Sequence, residues 1–552
     1  MSQIPPLHPW KRFVGLLQIE KKDILQIAYY AVFSGFMALT LPLGIQAIIN
    51  LIQGAQMSTS WVVLVILVTL GVAFTGALQL MQLRIIETIQ QRIFTKASFE
   101  LSYRFPKIKM EELRAYYPPE LANRFFDTLT IQKGLSKILI DVPAALLQIL
   151  FALLLLSFYH PFFIVFGFML LGLIYVVFKY TAVKGLESSL EESKHKYKVA
   201  HWIQEIARAI VSFKLSGKTQ LALTKNDGLV KEYLNAREKH FKVLVLQFIQ
   251  MIGFKVVVTA GLLLIGGALV LSQEMNIGQF VAAEIIIILV ISSVEKLILG
   301  LESFYDVLTS LEKLGQVVDK ELESQEGDIV MESDPFGVEL KNLSYEVPDR
   351  KEPILEDINL KLHKNSRVLI RGESGSGKST LLRLLAGVIE PTSGQIYVNK
   401  AAISSINLNS YRDLLGLSLS EESPFEGTIK ENVSFGNIHI SDVQIKKIFA
   451  EVGLTDFLSE QIHGLRTLLK PEGRQMSYTV SKKIILARAI LKAPKLLILE
   501  DPLDQFSKEE AERIISYITH PDRPWSLVVV SANKLWETSC SEIVTLSNGK
   551  TQ

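Results

Sequence analysis

The sequence predicts a multi-domain membrane protein. A six-helix transmembrane bundle with long cytosolic helical extensions is followed by an α/β P-loop nucleotide-binding domain that carries an added antiparallel β subdomain. Three observations predict this. Apolar segments long enough to cross a bilayer fall almost entirely before residue 315. A mean hydropathy of +0.29 with 49% hydrophobic residues fits a chain with a membrane part. The run GESGSGKST, Gly372 to Thr380, stands between a strand-like VLIR and a helix-like LLRLLAG. At 552 residues, and about 100 to 200 residues per domain, two or three domains are expected.

Six apolar segments each reach the roughly 20 residues a hydrocarbon core requires. They run Ile24 to Leu51, Trp61 to Leu80, Ile138 to Tyr159, Pro161 to Phe178, Val243 to Leu271 and Ile277 to Leu297. Before them, Pro9 through Ile19 combines basic and aromatic residues as a helix lying on a membrane surface does. No cleavable leader is expected, because the first apolar run is too long and lacks a small-residue cleavage site.

The short connections Gln53 to Ser60, His160 with Pro161, and Ser272 to Asn276 contain no lysine or arginine. The two long connections are rich in them, with Arg84, Arg92 and Lys107 in the first and Lys184, Lys196 and Lys214 in the second. By the positive-inside tendency, both long connections and both termini face the cytosol; the cytoplasmic membrane is the expected location. Lys255, Glu284, Glu295 and Lys296 fall within or beside the last two spans, where an ionised group is costly. Lys255 with Glu284 is the expected pair; snorkelling lysines and glutamates near the cytosolic end are the alternative.

The boundaries follow from composition: residues 1–315 form the membrane domain, 316–337 an acidic linker, and 338–552 the cassette. VELKNLSYEV, ILEDINLKL and QIYVNK read as antiparallel strands, while RVLIR, LLILE and SLVVVSA read as buried strands of a doubly wound sheet. Gly372, Glu373, Ser374, Gly375, Ser376, Gly377, Lys378, Ser379 and Thr380 are the expected phosphate-binding residues. The glycines let backbone N–H groups turn inward at a helix N-terminus, where orphan donors and the helix dipole favour an anion. Lys378 reaches the outer phosphates and Ser379 places a hydroxyl on Mg²⁺, so the expected ligand is a magnesium nucleoside triphosphate.

Net charge of +2 gives no argument for nucleic acid. The single cysteine, Cys540, excludes an intrachain disulfide and reads as an inert, partly buried residue.

Over nearly its whole length the chain resembles half-size ABC exporters of the type I architecture. The motifs that carry the resemblance are GESGSGKST, PFEGTIKENVSFG at 424–436, ILARAILKAPKLLILEDP at 485–502, NIGQF at 276–280, and YYPPELANRFFDT at 116–128, which is similar to a first cytosolic coupling region. The resemblance implies ATP and Mg²⁺ as cofactors, with Ser379 and Glu500 on the metal. It also implies a second half-transporter, self or a paralogue, as partner. The membrane part is closest in character to exporters of peptides and proteins, which implies a periplasmic adaptor and an outer-membrane channel as further partners.

Several catalytic positions depart from the family pattern. In place of the LSGGQ signature stands Met476-Ser477-Tyr478-Thr479-Val480, in which only Ser477 keeps its type and both glycines needed for close approach to phosphate are gone. The metal and base carboxylates appear in reversed order as Glu500 and Asp501. A base shorter by one methylene withdraws by about 1 Å, a misplacement that can cost about 100-fold. The glutamine that senses magnesium is Ser420 and the switch histidine is Asn533, neither of which reproduces the lost group. Val347 stands at the adenine-stacking aromatic, with Tyr345 two positions earlier as the compensating candidate, and Ser507 replaces an aspartate. The chain stops at TLSNGKTQ, where the family continues into a last helical segment.

Together these changes predict slow or absent hydrolysis, with Asp501 a weak general base. The alternative is an ATP-gated regulator or scaffold that binds without hydrolysing; an inactive relic is opposed by the preserved P-loop.

Overall fold

The computed structural model describes residues 9–54, 59–330, 336–348 and 350–551, without the side chains of 173 and 176–178. Parts of the first short connection (55–58) and of the acidic linker (331–335) lie outside the described residues. The chain forms two compact units: one holds the residues up to Ile108 with Ala115–Lys320, the other Lys109–Arg114 with Glu321–Gln552.

The first unit is helical. Among the described residues, five stretches are long and apolar enough to cross a membrane: Lys21–Gln53, Thr59–Lys107, Pro118–Ser157, Leu221–Leu271 and Ile277–Val318. The fourth span read from the sequence opens the helix Phe162–Arg208, whose apolar stretch among the described side chains is Phe162–Gly172. Helices of 46, 47 and 51 residues exceed what a bilayer needs. At 1.5 Å per residue, the excess of about 25 residues continues some 40 Å beyond the hydrocarbon core.

Pro9–Ile19 is a helix with one buried side. Phe13 packs edge-on against Phe304 at 5.2 Å, and Trp10 stays half exposed. Arg12 donates to Asp319 at 2.9 Å, tying this helix to the last one.

The intramembrane ion pair differs from expectation: Lys255 Nζ donates to Glu295 Oε2 at 2.6 Å, not to Glu284. The reason is geometric. Leu221–Leu271 and Ile277–Val318 are consecutive helices joined by a short turn, so residues equidistant from the turn share a height. Lys255 lies sixteen residues before Leu271 and Glu295 eighteen after Ile277, whereas Glu284 is only seven after it.

The second unit is a two-sheet cassette. β1 (Val338–Tyr345), β2 (Leu355–Leu362), β4 (Ser393–Val398) and β5 (Ala401–Ala402) form an antiparallel sheet in the order β2-β1-β4-β5. β3 (Arg367–Gly372), β6 (Leu415–Ser418), β9 (Leu496–Glu500), β10 (Ser526–Val530), β11 (Glu542–Ser547) and β12 (Lys550–Thr551) form the second, ordered β12-β11-β3-β10-β9-β6. β7 (Gly427–Thr428) and β8 (Leu468–Leu469) pair separately.

β9 and β10 are buried at every position, as parallel strands covered on both faces must be. Their register aligns Ile370, Val530 and Glu500 at one end. Three carboxyl ends therefore open at the same edge, where open α/β sheets bind ligands.

Part of the predicted linker is docked on the cassette: Asp328 bridges Ile406, and Glu323 pairs with Arg412 at 2.6 Å. Cys540 is half-buried, and burial pushes its thiol up to about 11, so it stays protonated and unreactive at neutral pH.

Candidate functional site

The loop after β3 turns directly into the helix Lys378–Leu385. That helix holds its place because Leu381, Leu382, Leu384 and Leu385 are all buried. Two glycines are dictated by space and backbone. A Cβ on Gly372 (φ 151°) would sit 2.2 Å from the Leu546 carbonyl oxygen, and one on Gly377 (φ 99°) would sit 2.6 Å from the Leu355 side chain.

Lys378 Nζ donates to the carbonyls of Gly372 at 2.8 Å and Glu373 at 2.7 Å, so its charge is held across the mouth of the loop. Glu373, Ser374 and Gly375 are exposed, and Thr380 is part-buried on the first turn. The Ser376 hydroxyl is buried and makes no hydrogen bond, an orphaned donor inside the cradle. A polyphosphate fits this arrangement: a fixed cation, a free hydroxyl and the N-terminus of a helix face the same space.

Glu500 ends β9 and is buried. One carboxylate oxygen accepts from the Ser379 hydroxyl; the other accepts the Ser420 N–H at 2.9 Å and the Ser420 hydroxyl at 2.8 Å. Burial pushes this carboxyl up, but the three donors outweigh it and hold Glu500 below its ordinary range, hence ionised. An ionised carboxylate touching a hydroxyl is the donor set that a hard divalent cation takes.

Asp501 follows in left-handed backbone, φ 40°, with its N–H on the Val530 carbonyl at 2.8 Å. Burial and the adjacent Glu500 charge push its carboxyl up, against hydrogen bonds from the Ala532 N–H and the Ser531 hydroxyl.

Ser477 caps the helix Tyr478–Leu491, accepting the Val480 N–H at 3.3 Å. Tyr478 is 46% exposed at the first position of that helix. Asn533 uses its side-chain oxygen on the Leu535 N–H at 3.0 Å, and Ser507 caps the helix Lys508–Ile518.

Tyr345, the candidate for stacking, is 7% exposed in the cassette core, and its hydroxyl accepts from Arg114 at 2.8 Å. It presents no free ring face for a base. Val347 is part-buried against the same core.

Two participants were not found from sequence. Lys482, buried, donates to the Ser420 carbonyl at 3.2 Å and so braces the residue that clamps Glu500. The adjacent pair Lys482 and Lys483, placed just before the apolar IILA, was the available signal. Arg114 carried none, since it is one of many basic residues in its connection.

Residues 355–504 match the ABC transporter family, and residues 25–294 match the ABC transporter transmembrane region. The human protein "ATP-binding cassette sub-family B member 5" is 31% identical over 213 residues, 38% of this chain and 17% of that one. "Alpha-hemolysin translocation ATP-binding protein HlyB" of Escherichia coli O157:H7 is 27% identical over 303 residues, 55% of this chain and 43% of that one. The match thus spans less than half the length of each of these curated relatives.

A solved bacterial Atm1-family ABC exporter with ATP bound shares the fold, with a TM-score of 0.83 at 17% identity, covering 97% of this chain and 95% of that one. With a transmembrane region and a cassette of this family fused in a single polypeptide, the chain belongs to the ABC transporters, as a half-transporter of the type I exporter architecture.

Proposed function

We propose that the chain is the ATP-binding subunit of an exporter in the cytoplasmic membrane, with its termini and cassette in the cytosol. It works as a dimer with a second half-transporter, moves a peptide or protein cargo, and hydrolyses ATP slowly or not at all. The name of the E. coli relative, a translocation protein for α-hemolysin, favours the protein cargo. A periplasmic adaptor and an outer-membrane channel are the partners that cargo implies.

The observation that carries the reading is the contrast at the carboxylate pair. Glu500 is committed to Ser379 and Ser420, and the shorter Asp501 follows it in left-handed backbone. Lys378 and the loop N–H groups bind the outer phosphates. Ser379 with Glu500 would hold Mg²⁺, which when bound neutralises charge between the phosphates. Asp501 is left to orient water at too short a reach, and Tyr478 crowds the terminus that should approach the partner's phosphate.

The test is direct. Nucleotide binding should fall by more than about tenfold in Lys378→Ala, because charge-assisted hydrogen bonds contribute about 1.5 to 3 kcal/mol. Turnover of order 1 to 10 per second that Asp501→Asn abolishes would overturn slow hydrolysis.

A second reading is a regulator gated by ATP binding alone. It is favoured by Ser420 and Asn533, whose side chains are both spent inside the fold. Transport into sealed vesicles separates the two: cargo movement that depends on ATP supports the exporter, and ATP binding that moves no cargo supports the regulator.

A further inference from the structure

Lys482 and Lys483 stand side by side on the helix Tyr478–Leu491, and both are buried. A buried ammonium is costly unless it is paired, so each needs a physical reason. Lys483 has an ordinary one: it bridges Glu510 and donates to the Gly453 carbonyl at 3.1 Å. Lys482 does not. It is 4% exposed, and its one hydrogen bond among the described residues goes to the Ser420 carbonyl at 3.2 Å. Its charge also lies 5.7 Å from the centre of the Tyr478 ring, one turn earlier on the same helix face. Glu422, a part-buried carboxylate that feels this charge, is already taken by Arg488 at 3.4 Å and by the Leu419 N–H at 3.0 Å. A methionine would fill much the same space with no ammonium to desolvate.

Ser420 is where the lysine acts. It lies two residues beyond β6 and offers three polar groups. The N–H and the hydroxyl both donate to Glu500 Oε2, at 2.9 and 2.8 Å, and the carbonyl accepts from Lys482. Ser420 is therefore gripped from both sides, and the other carboxylate oxygen, Oε1, is left on the Ser379 hydroxyl. Because two donors to Glu500 belong to one residue, a turn of Ser420 would remove both together.

We propose that Lys482 is a positioning residue for the divalent cation: acting through Ser420, it keeps Glu500 aimed at Ser379. The metal's contribution to nucleotide binding then depends on the helix that begins at Tyr478. This rests on the reading that Ser379 and Glu500 hold Mg²⁺. The Lys482 hydrogen bond reaches neither the loop 372–377 nor Glu500 itself, so its effect falls on the metal-dependent part of the affinity alone.

The experiment measures ATP affinity of the full chain by calorimetry, once with Mg²⁺ and once with EDTA. The ratio of the two dissociation constants is the metal's contribution. Glu500→Gln should remove most of it. Lys482→Met should cut it by about tenfold, the scale on which a residue supporting a metal ligand counts, and should shift the affinity in EDTA by less than about twofold. In a Glu500→Gln background, Lys482→Met should take away nothing further. Ser420→Ala deletes one of the two donors and should lower the ratio about threefold.

If Glu500→Gln leaves the ratio unchanged, the metal reading fails and this inference with it. If Glu500→Gln removes the ratio while a folded Lys482→Met keeps it, the metal reading stands and Lys482 does not position its ligand. A loss in Lys482→Met that is equal with Mg²⁺ and with EDTA marks a merely structural lysine and overturns the proposal as well. Should Lys482→Met fail to fold, Ser420→Ala carries the test, and an undiminished ratio there overturns it.

Discussion

Two helix N-termini in the cassette face opposite fates. Lys378–Leu385 begins after glycines in left-handed backbone, and its first residue carries a cation. Tyr478–Leu491 begins after Ser477, whose hydroxyl already takes the Val480 N–H, and its first residue is a phenol ring. Both ends have the same dipole and the same orphan donors. The difference teaches that a helix terminus becomes an anion site only when its N–H groups are free and a ligand can approach the backbone. Charges reinforce the contrast: burial and then Asp504 and Asp501 push the Tyr478 phenol up, so acidic groups lie near this terminus.

The largest expected effect comes from making the second terminus like the first. Restoring glycines with Tyr478→Gly and Thr479→Gly, together with Glu500→Asp and Asp501→Glu, should raise ATP turnover by about 100-fold, the scale of a 1 Å misplacement. Steady-state hydrolysis of the four-residue variant against the carboxylate pair alone apportions the gain. If the glycines add nothing, the N-terminus of Tyr478–Leu491 does not limit the rate.

Spoiling the first terminus is the next largest effect. Gly372→Ala forces a Cβ to 2.2 Å from the Leu546 carbonyl oxygen in a backbone region side chains avoid. It should cost the cassette about 2 kcal/mol or more, read by thermal unfolding. Retained stability with normal nucleotide binding would show that the cradle tolerates the crowding seen at Tyr478.

The carboxylates that lie between these termini should respond to pH with opposite signs. Glu500 has its folded value below the ordinary 4.5, so its stabilisation is present above that pH and lost as pH falls through the lower folded value. Asp501 has its folded value above the ordinary 3.8, so it weighs against the folded state at neutral pH and is relieved as pH falls through the raised value. Glu500→Gln should therefore lower the thermal midpoint at pH 7 and Asp501→Asn raise it, each by a few degrees, with both differences shrinking toward pH 4.

Local pattern made the spans and the P-loop legible, because hydropathy over a window and glycine spacing are properties of a single element. Partners between elements were not. Lys255 finds Glu295 because two helices are folded back about a short turn, a fact that hydropathy does not encode. Tyr345 was a plausible stacking residue by position, yet β1 alternates faces, and this position is turned into the core. Glu500 as an acidic residue after a buried strand was legible; its clamp by Ser420, braced by Lys482, required three separate segments to meet.

The smallest effect is the loss of the Tyr345 hydroxyl alone. Its hydroxyl is held by Arg114, in a six-residue stretch, Lys109–Arg114, that belongs to the cassette's compact unit although the chain on both sides belongs to the helical one. Lys109 fixes the other end of that stretch, bonding Glu321 at 2.6 Å and Glu390 at 3.3 Å. Tyr345→Phe keeps the buried ring and removes only the acceptor, so it should cost about 1 kcal/mol, the net worth of one part-buried hydrogen bond. If Tyr345 instead served the nucleotide by stacking, Tyr345→Phe would be neutral for binding and Tyr345→Ala would weaken ATP selectively over other triphosphates. Buried as it is, Tyr345→Ala should instead lower stability by about 3 kcal/mol or more and leave base preference unchanged, which thermal unfolding and competition between nucleotides read separately.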